Sequence, residues 1–275
     1  MTLAALPALD TQLRSYGRLL VAFSGGADSA FLLAAAVRAL GPANVVAATA
    51  ISPSLPEAEL AQAAAFAAGL GVRHETPHTY EFERDGYTRN AGDRCYFCKS
   101  ELLDTLRPLA DRLGIEHVAT GTNADDAVAG FRPGIRAAAE RGAVTPLLDA
   151  GLTKADVRAS SREWGLATWD KPAAACLASR VAFGIEVTPS RLARVERAES
   201  AARAWLHDRG IPVRDLRVRD LGDAARLEVD GDLVPVVVAS GVAAEVAAAG
   251  FPAVAVEAFR SGAMNDLLPD PERYR

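Results

Sequence analysis

The chain has 275 residues, half of them hydrophobic and about a quarter charged, with a formal net charge of −5. These values fit a globular protein of one large domain or two unequal ones. The acidic balance argues against a general affinity for nucleic-acid backbones. Three cysteines are an odd count. In a reducing compartment they read as free, metal-bound or catalytic more readily than bridged. Residues 1–20 carry Asp10 and Arg14 and lack the basic start and apolar centre of a signal peptide. The longest uncharged stretch, residues 39–56, is broken by glycine, proline, asparagine and serine, so no membrane span is expected. The expected location is the cytoplasm.

Residues 3–16 read as a short amphipathic helix. An apolar run over 19–23 then stops at two glycines, and a helical pattern follows over 30–40. The turn between them is Ser24-Gly25-Gly26-Ala27-Asp28-Ser29. Its glycines allow close backbone approach to a ligand. Ser24, Ser29 and the free N–H groups of a helix start can hold an anion. There is no lysine at its end, as a Walker loop requires, and its adjacent glycines do not make G-x-G-x-x-G. A turn that merely joins strand to helix is the alternative.

A second buried strand is expected over 44–51, a loop over 52–56, a helix over 57–70 and a third strand over 72–79. The polar stretch 80–90 leads to Cys95-Tyr96-Phe97-Cys98, then a helix over 100–113 and a strand over 116–121. Alternating strand and helix patterns imply an α/β domain, a parallel sheet with helices on both faces. Ligands of such sheets bind beyond the carboxyl ends of the strands, where Ser24, Ser52 and Asn123 fall. Asp125 and Asp126 follow the last of these strands and could hold Mg²⁺ on ATP phosphates; helix capping is the competing reading for them and for Asn123.

Residues 152–165 read as a helix capped by Thr153, with Asp156 three residues on. A domain boundary is placed near residue 185. A helix over 190–209 follows Thr188-Pro189, residues 214–229 look strand-rich, and 234–259 hold both patterns, a smaller α+β domain. Cys176 lies between Lys171 and Arg180, cations that could lower a thiol pKa; a buried structural cysteine is equally consistent. Cys95 and Cys98 alone fit half a zinc site, a redox pair or chance. With Cys176 they supply the three thiolates of a [4Fe–4S] cluster with one open iron. Alternation puts Arg217 and Arg219 on one strand face. They would clamp an anion there, or simply face solvent. Glu199 and Glu228 read as surface charges unless a site gathers them.

Ser-Gly-Gly-x-Asp-Ser resembles the pyrophosphate loop of ATP pyrophosphatases. Several further segments extend the likeness over nearly the whole chain. They are 121–126, Arg132-Pro133-Gly134, Pro146-Leu147-Leu148, 169–180, Arg217-Val218-Arg219 and Ala225-Arg226-Leu227-Glu228. Together they resemble the LarE family of ATP-dependent sulfur transferases, which make the thiocarboxylates of the nickel-pincer cofactor of lactate racemase. The resemblance implies ATP and Mg²⁺ on Ser24, Gly25, Gly26, Asp28, Ser29, Asn123, Asp125 and Asp126. It also implies a pyridinium carboxylate mononucleotide on Arg180, Arg217, Arg219, Glu199 and Glu228, with Cys176 as the sulfur-bearing residue. In single-cysteine members that cysteine is consumed. Cys95 and Cys98 mark the similarity to a three-cysteine branch, where all three cysteines would hold a [4Fe–4S] cluster. Homo-oligomers are expected on the same basis. The alternatives are a tRNA thiolase, which should carry a basic RNA-binding module, an amidating adenylase like NAD synthetase, and a nucleotide-binding module without catalysis.

Overall fold

The computed structural model describes residues 5–128, 133–172 and 175–268. The chain divides into two units. Residues 5–81 and 95–172 form one, and residues 82–94 and 175–268 the other.

In chain order the elements are α1 (Ala5–Ser15), β1 (Leu19–Ala22), α2 (Ala27–Leu40), β2 (Val45–Ala48), α3 (Glu57–Gly69) and β3 (Arg73–Glu75). The short α4 (Asp85–Thr88) belongs to the second unit. Then come α5 (Arg94–Arg112), β4 (His117–Thr120), α6 (Ala124–Val128), α7 (Pro133–Glu140), α8 (Pro146–Asp149) and α9 (Lys154–Glu163). The second unit continues with α10 (Pro189–Asp208), β5 (Leu216–Asp220), β6 (Ala225–Val229), α11 (Val234–Ala239), α12 (Ala243–Ala248) and β7 (Val254–Ala258).

The first unit is the expected α/β layer structure. Its sheet has the order β3-β2-β1-β4 and is parallel throughout. The uninterrupted apolar run of β1 follows from helices on both faces. Leu19 and Val21 join one core with Leu9 and Leu13 of α1, Phe31 and Leu32 of α2 and Val157 of α9. Leu20 and Ala22 join the other with Leu103, Leu106 and Leu109 of α5. A period of two thus divides one strand between two cores. The cap of α9 forms as its spacing predicts: Asp156 N–H donates to Thr153 Oγ1 at 3.2 Å, and Thr153 N–H donates back to Asp156 at 3.1 Å.

Two boundaries differ from expectation, and both matter to the site. Helix α2 begins at Ala27, so Asp28 and Ser29 lie in its first turn. Helix α5 begins at Arg94, so Cys95 and Cys98 are helical and not in a loop. Nothing from Arg94 to Ser100 is a glycine or proline, and a helix extends through such residues at little cost.

The second unit is α+β. Its sheet has the order β5-β6-β7, with β5 antiparallel to β6 and β6 parallel to β7. Helices α11 and α12 fill the crossover between the parallel pair, as such a connection requires. Helix α10 buries Leu192, Val195, Ala198, Ala202 and Leu206 and packs on β5 and α12. Thr188 caps it, accepting from Arg191 N–H at 3.2 Å, with Pro189 in its first turn. No helix among the described residues is long and apolar enough to cross a membrane.

Candidate functional site

The turn after β1 builds a polar cradle. Gly26 is the N-cap of α2 and no side chain caps that helix end, so its first N–H groups face outward for an acceptor. Gly25 has φ 73°, a conformation that favours glycine. Ser24 Oγ and Ser29 Oγ stand 3.1 Å apart, and Ser29 Oγ donates to Gly26 O at 3.1 Å. A cavity of about 340 Å³ opens here, at the carboxyl ends of β1, β2 and β4.

Of the residues assigned to the nucleotide, Ser24, Gly26, Asp28, Ser29 and Asp126 line this cavity. Gly25, Asn123 and Asp125 are not among its lining residues. Asn123 and Asp126 cap α6 reciprocally: Asp126 N–H donates to Asn123 Oδ1 at 3.1 Å and Asn123 N–H to Asp126 Oδ2 at 3.3 Å. Asp125 accepts from Lys154 N–H at the start of α9 at 2.8 Å. The capping reading is therefore realised at Asn123 and Asp126, while Asp125 ties α6 to the start of α9. Asp126 lines the cavity as well and pairs with Lys154 at 3.3 Å.

Burial raises the pKa of Asp28, and the Asp126 carboxylate adds to the rise. The Lys154 and Arg158 cations and an Asn123 hydrogen bond pull the other way. Mg²⁺ on a nucleotide takes one or two carboxylates besides the phosphates, and Asp28 with Asp126 fit that need.

Several cavity residues carried no sequence expectation. Lys99 lines the cavity. Burial lowers its pKa, while Cys98, Cys95 and Asp126 favour its charged form. Its signal was a cation directly after the second cysteine, at the next position of the same helix. Thr49, Thr120 and Thr122 also line the cavity, each at or just past a strand end. Gly121 follows β4 where α2 passes closest: a Cβ built there would lie 2.8 Å from Ser29 N and 3.0 Å from Ser29 Cα.

Cys95 is exposed and Cys98 half-buried, three residues apart on one face of α5. Among the described residues no group of three or more His, Cys, Asp or Glu is gathered as metal ligands. The first unit therefore presents two thiols of the three that a cluster with an open iron needs, and Cys176 belongs to the second unit. Lys171, one of the two cations considered for the Cys176 thiol, is engaged elsewhere. Its ammonium donates to Gly25 O, Glu59 Oε2 and Gln62 Oε1. Arg132 of the Arg-Pro-Gly segment and residues 173–174 lie outside the described residues.

In the second unit Cys176 is half-buried and caps a turn of 3₁₀ helix, Leu177–Arg180. Its carbonyl accepts from Ser179 Oγ at 2.7 Å and Arg180 Nη1 at 3.0 Å. Arg180 also donates to Ala175 O, so this cation grips the backbone on both sides of the Cys176 peptide. Its other edge meets Glu199 in a fork, Nε to Oε1 at 2.9 Å and Nη2 to Oε2 at 3.2 Å. Glu199 Oε1 further accepts from Val218 N–H at 3.0 Å.

Pattern alone favours a solvated strand face for Arg217 and Arg219; both are 6 % exposed. Arg219 donates to Glu228 Oε2 at 2.8 Å and to Ser179 O at 3.2 Å. Arg217 donates to Leu216 O at 2.7 Å. Burial lowers the Arg217 pKa, the Arg180 and Arg203 cations lower it further, and Glu199 opposes them. Glu199 and Glu228 are likewise buried, so they are not surface charges. Asp215 also opposes the Arg180 and Arg203 cations, so two cations and two carboxylates act on Arg217.

No family model matches the chain. It is 46 % identical over 212 residues to an uncharacterized protein of Synechocystis, covering 77 % of this chain and 76 % of that one. It is 28 % identical over 153 residues to an uncharacterized protein of Methanocaldococcus jannaschii, 56 % of this chain and 57 % of that one. To the pyridinium-3,5-bisthiocarboxylic acid mononucleotide synthase of Lactiplantibacillus plantarum it is 34 % identical over 274 residues, 97 % of this chain and 96 % of the relative. With 34 % identity over nearly the whole length of both proteins, the chain belongs to the LarE family.

Proposed function

We propose that the protein is an ATP-dependent sulfur transferase that converts a carboxylate of pyridinium-3,5-biscarboxylic acid mononucleotide into a thiocarboxylate, on the way to a nickel-pincer cofactor. The observation that carries the reading is the cavity at the sheet's carboxyl edge, where two serine hydroxyls and the uncapped start of α2 meet the carboxylates of Asp28 and Asp126. The activity for which the L. plantarum relative is named supports the product.

The triphosphate of ATP lies on Ser24–Ser29. Asp28 and Asp126 would hold Mg²⁺, which would offset the charge developing on the phosphates. A substrate carboxylate oxygen attacks the α-phosphorus, the bond to the β-phosphate oxygen breaks, and acyl-adenylate and pyrophosphate result. The N–H groups of the cradle hold the leaving pyrophosphate. Arg217, Arg180 and Arg219 hold the substrate phosphate, and Glu199 and Glu228 hold Arg180 and Arg219 in place. The Cys176 thiolate then attacks the acyl carbon and expels AMP. Loss of the Cα proton of Cys176 and breakage of its Cβ–Sγ bond release the thiocarboxylate and leave dehydroalanine.

A second reading concerns only the sulfur, and the Cys95–Cys98 pair on one face of α5 favours it. There Cys95, Cys98 and Cys176 would be thiolate ligands of a [4Fe–4S] cluster that would supply a sulfide, and Cys176 would survive.

The test is anaerobic purification with iron and sulfide analysis, then incubation with ATP, Mg²⁺ and the dicarboxylate mononucleotide. Pyrophosphate, AMP and thiocarboxylate should appear together. An iron-free protein whose Cys176 peptide loses the mass of H₂S supports the first source; an iron-containing protein with Cys176 intact supports the second. Cys176→Ala should abolish the thiocarboxylate in either case, and its persistence would refute both. Pyrophosphate release that needs tRNA instead of the mononucleotide would refute the substrate assignment.

A further inference from the structure

The lysine of the segment 169–180 is the feature that the reaction above leaves unused. An ammonium has three N–H donors. Lys171 Nζ spends them on Gly25 O at 3.1 Å, Glu59 Oε2 at 2.7 Å and Gln62 Oε1 at 2.9 Å. Glu59 and Gln62 are three apart on one face of α3. The backbone of Lys171 is fixed as well. Its N–H donates to Thr168 O at 3.2 Å, and its carbonyl accepts from Arg158 Nη2 of α9 at 3.0 Å. The Lys171 side chain is 15 % exposed and that of Glu59 21 %. With every donor engaged, Lys171 is not poised as a phosphate ligand in the way a Walker lysine is.

What it holds is one peptide plane. A trans peptide is planar, with its C=O and N–H pointing opposite ways. Gly25 O is bound by Lys171 on the α3 side. The Gly26 N–H therefore points to the other side, where its acceptor is Ser24 Oγ at a long 3.4 Å. Ser24 and Gly26 line the cavity. Glycine on both sides of this plane makes rotation of the plane inexpensive. Rotated by half a turn, the plane would aim a carbonyl oxygen at the place a phosphate must occupy. Packing restrains the loop only partly: a Cβ on Gly25 would meet Ala63 Cβ of α3 at 3.4 Å, which blocks larger residues without fixing the plane.

We propose that Lys171 is a positioning residue of the pyrophosphate cradle. It anchors Gly25 O to α3 so that the Gly26 N–H is presented to the β- and γ-phosphates of a nucleoside triphosphate and to pyrophosphate. The inference rests on the reading of the cavity as an ATP site and deepens it. It predicts selectivity, because a nucleoside monophosphate has no group at that position and gains nothing from the lock.

The experiment is titration calorimetry of wild type, K171M, K171Q and K171R with Mg-ATP, Mg-pyrophosphate and AMP. K171M keeps the aliphatic stem and removes the ammonium. It should lose about tenfold in affinity for ATP and pyrophosphate, the scale of one charge-assisted hydrogen bond, while AMP affinity changes less than about twofold. K171Q, a polar replacement that disturbs a half-buried position less, should show the same selective loss even if K171M folds poorly. K171R should recover most of it. Equal losses for ATP and AMP, or no loss, would overturn the lock while leaving the ATP site standing. A wild-type protein that binds neither ATP nor pyrophosphate would overturn both.

Discussion

The Arg180–Glu199 pair offers the most direct test of the second unit. Its side chains are 5 % and 11 % exposed, and the carboxylate accepts a guanidinium fork and the Val218 N–H. Removing one member of such a pair costs about 3–5 kcal/mol, because the other charge stays buried without its partner. Glu199→Gln keeps one oxygen, which can still accept from Val218 N–H and one arm of Arg180. Its amide N–H group faces the other arm, donor against donor. The expected loss is therefore at the low end, about 3 kcal/mol. That is a large fraction of a total stability on the order of 5–15 kcal/mol. The measurement is urea denaturation in a Trp164→Phe, Trp169→Phe background. Trp205 of α10 is then the only tryptophan of the three and reports on the second unit. R180M should be similarly destabilising, and the double variant should recover much of the loss, giving a coupling of about 2 kcal/mol or more. The same substitution should have the opposite effect on anion binding. Glu199 offsets the cations around Arg217, so E199Q, measured below its unfolding transition, should bind a mononucleotide phosphate more tightly than wild type. A stability within about 0.5 kcal/mol of wild type, or strict additivity in the cycle, would refute the account of a buried, mutually dependent pair.

Two further substitutions test the cradle. Gly121→Ala would press a methyl group against the Ser29 backbone; overpacking of this kind costs about 1–3 kcal/mol. The displaced start of α2 should weaken ATP binding out of proportion to the fall in Tm, and unchanged ATP affinity would show that the approach of α2 to β4 is not needed. Asp28 has a folded-state pKa above its ordinary value, chiefly through burial. The folded protein thus binds the extra proton more tightly than the unfolded chain, and the charged carboxylate opposes folding at neutral pH. Asp28→Asn should melt higher than wild type at pH 7, with the difference shrinking as pH falls through the folded pKa toward the ordinary carboxylate range, while Mg-ATP binding is lost. A variant that melts lower at pH 7 contradicts the assignment.

The first unit was the more legible half. The apolar runs of β1, β2 and β4 and the glycine turn between β1 and α2 follow from local pattern, and the parallel order follows from alternation. The error at α5 has a physical source. Cys95-Tyr96-Phe97-Cys98 has no helical breaker and no helical signature, so the local pattern places the helix start at residue 100 and not at Arg94. Asn123 and Asp126 show that capping and ligation are not exclusive, since Asp126 closes a cap and still faces the cavity. Arg217 and Arg219 could not be resolved from pattern. Alternating charge on a strand reads as solvent-facing, and only long-range pairing with Glu228 and proximity to Glu199 keep them inside. Lys171 was noticed for a role toward Cys176, because its hydrogen bonds to Gly25, Glu59 and Gln62 span more than a hundred positions and leave no local trace.

Charges in this chain shift in both senses, and two of the residues lining the cavity are among those whose charged forms burial disfavours. Hydrogen bonds stabilise the charged forms of Arg14, Arg141 and Asp156, with Asp10, Asp104 and Thr153 as their respective partners. Those interactions are complete within the chain. Burial acts against the charged forms of Asp28, Lys99 and Arg217. Asp28 and Lys99 line the cavity of the first unit, and Arg217 sits among Arg180, Arg203, Glu199 and Asp215 in the second. A fold selected for stability alone gains nothing from holding a desolvated charge. A binding site does gain, because a ligand of opposite charge adds to the partners already present. The signs agree with the reading of each site: an anionic residue for a metal ion, and two cationic ones for phosphate. Saturating Mg-ATP should therefore raise the Tm of wild type more than that of Asp28→Asn. The mononucleotide should do the same for wild type relative to Arg217→Met. Equal ligand-induced shifts in variant and wild type would mean that these charges are strained for some other reason.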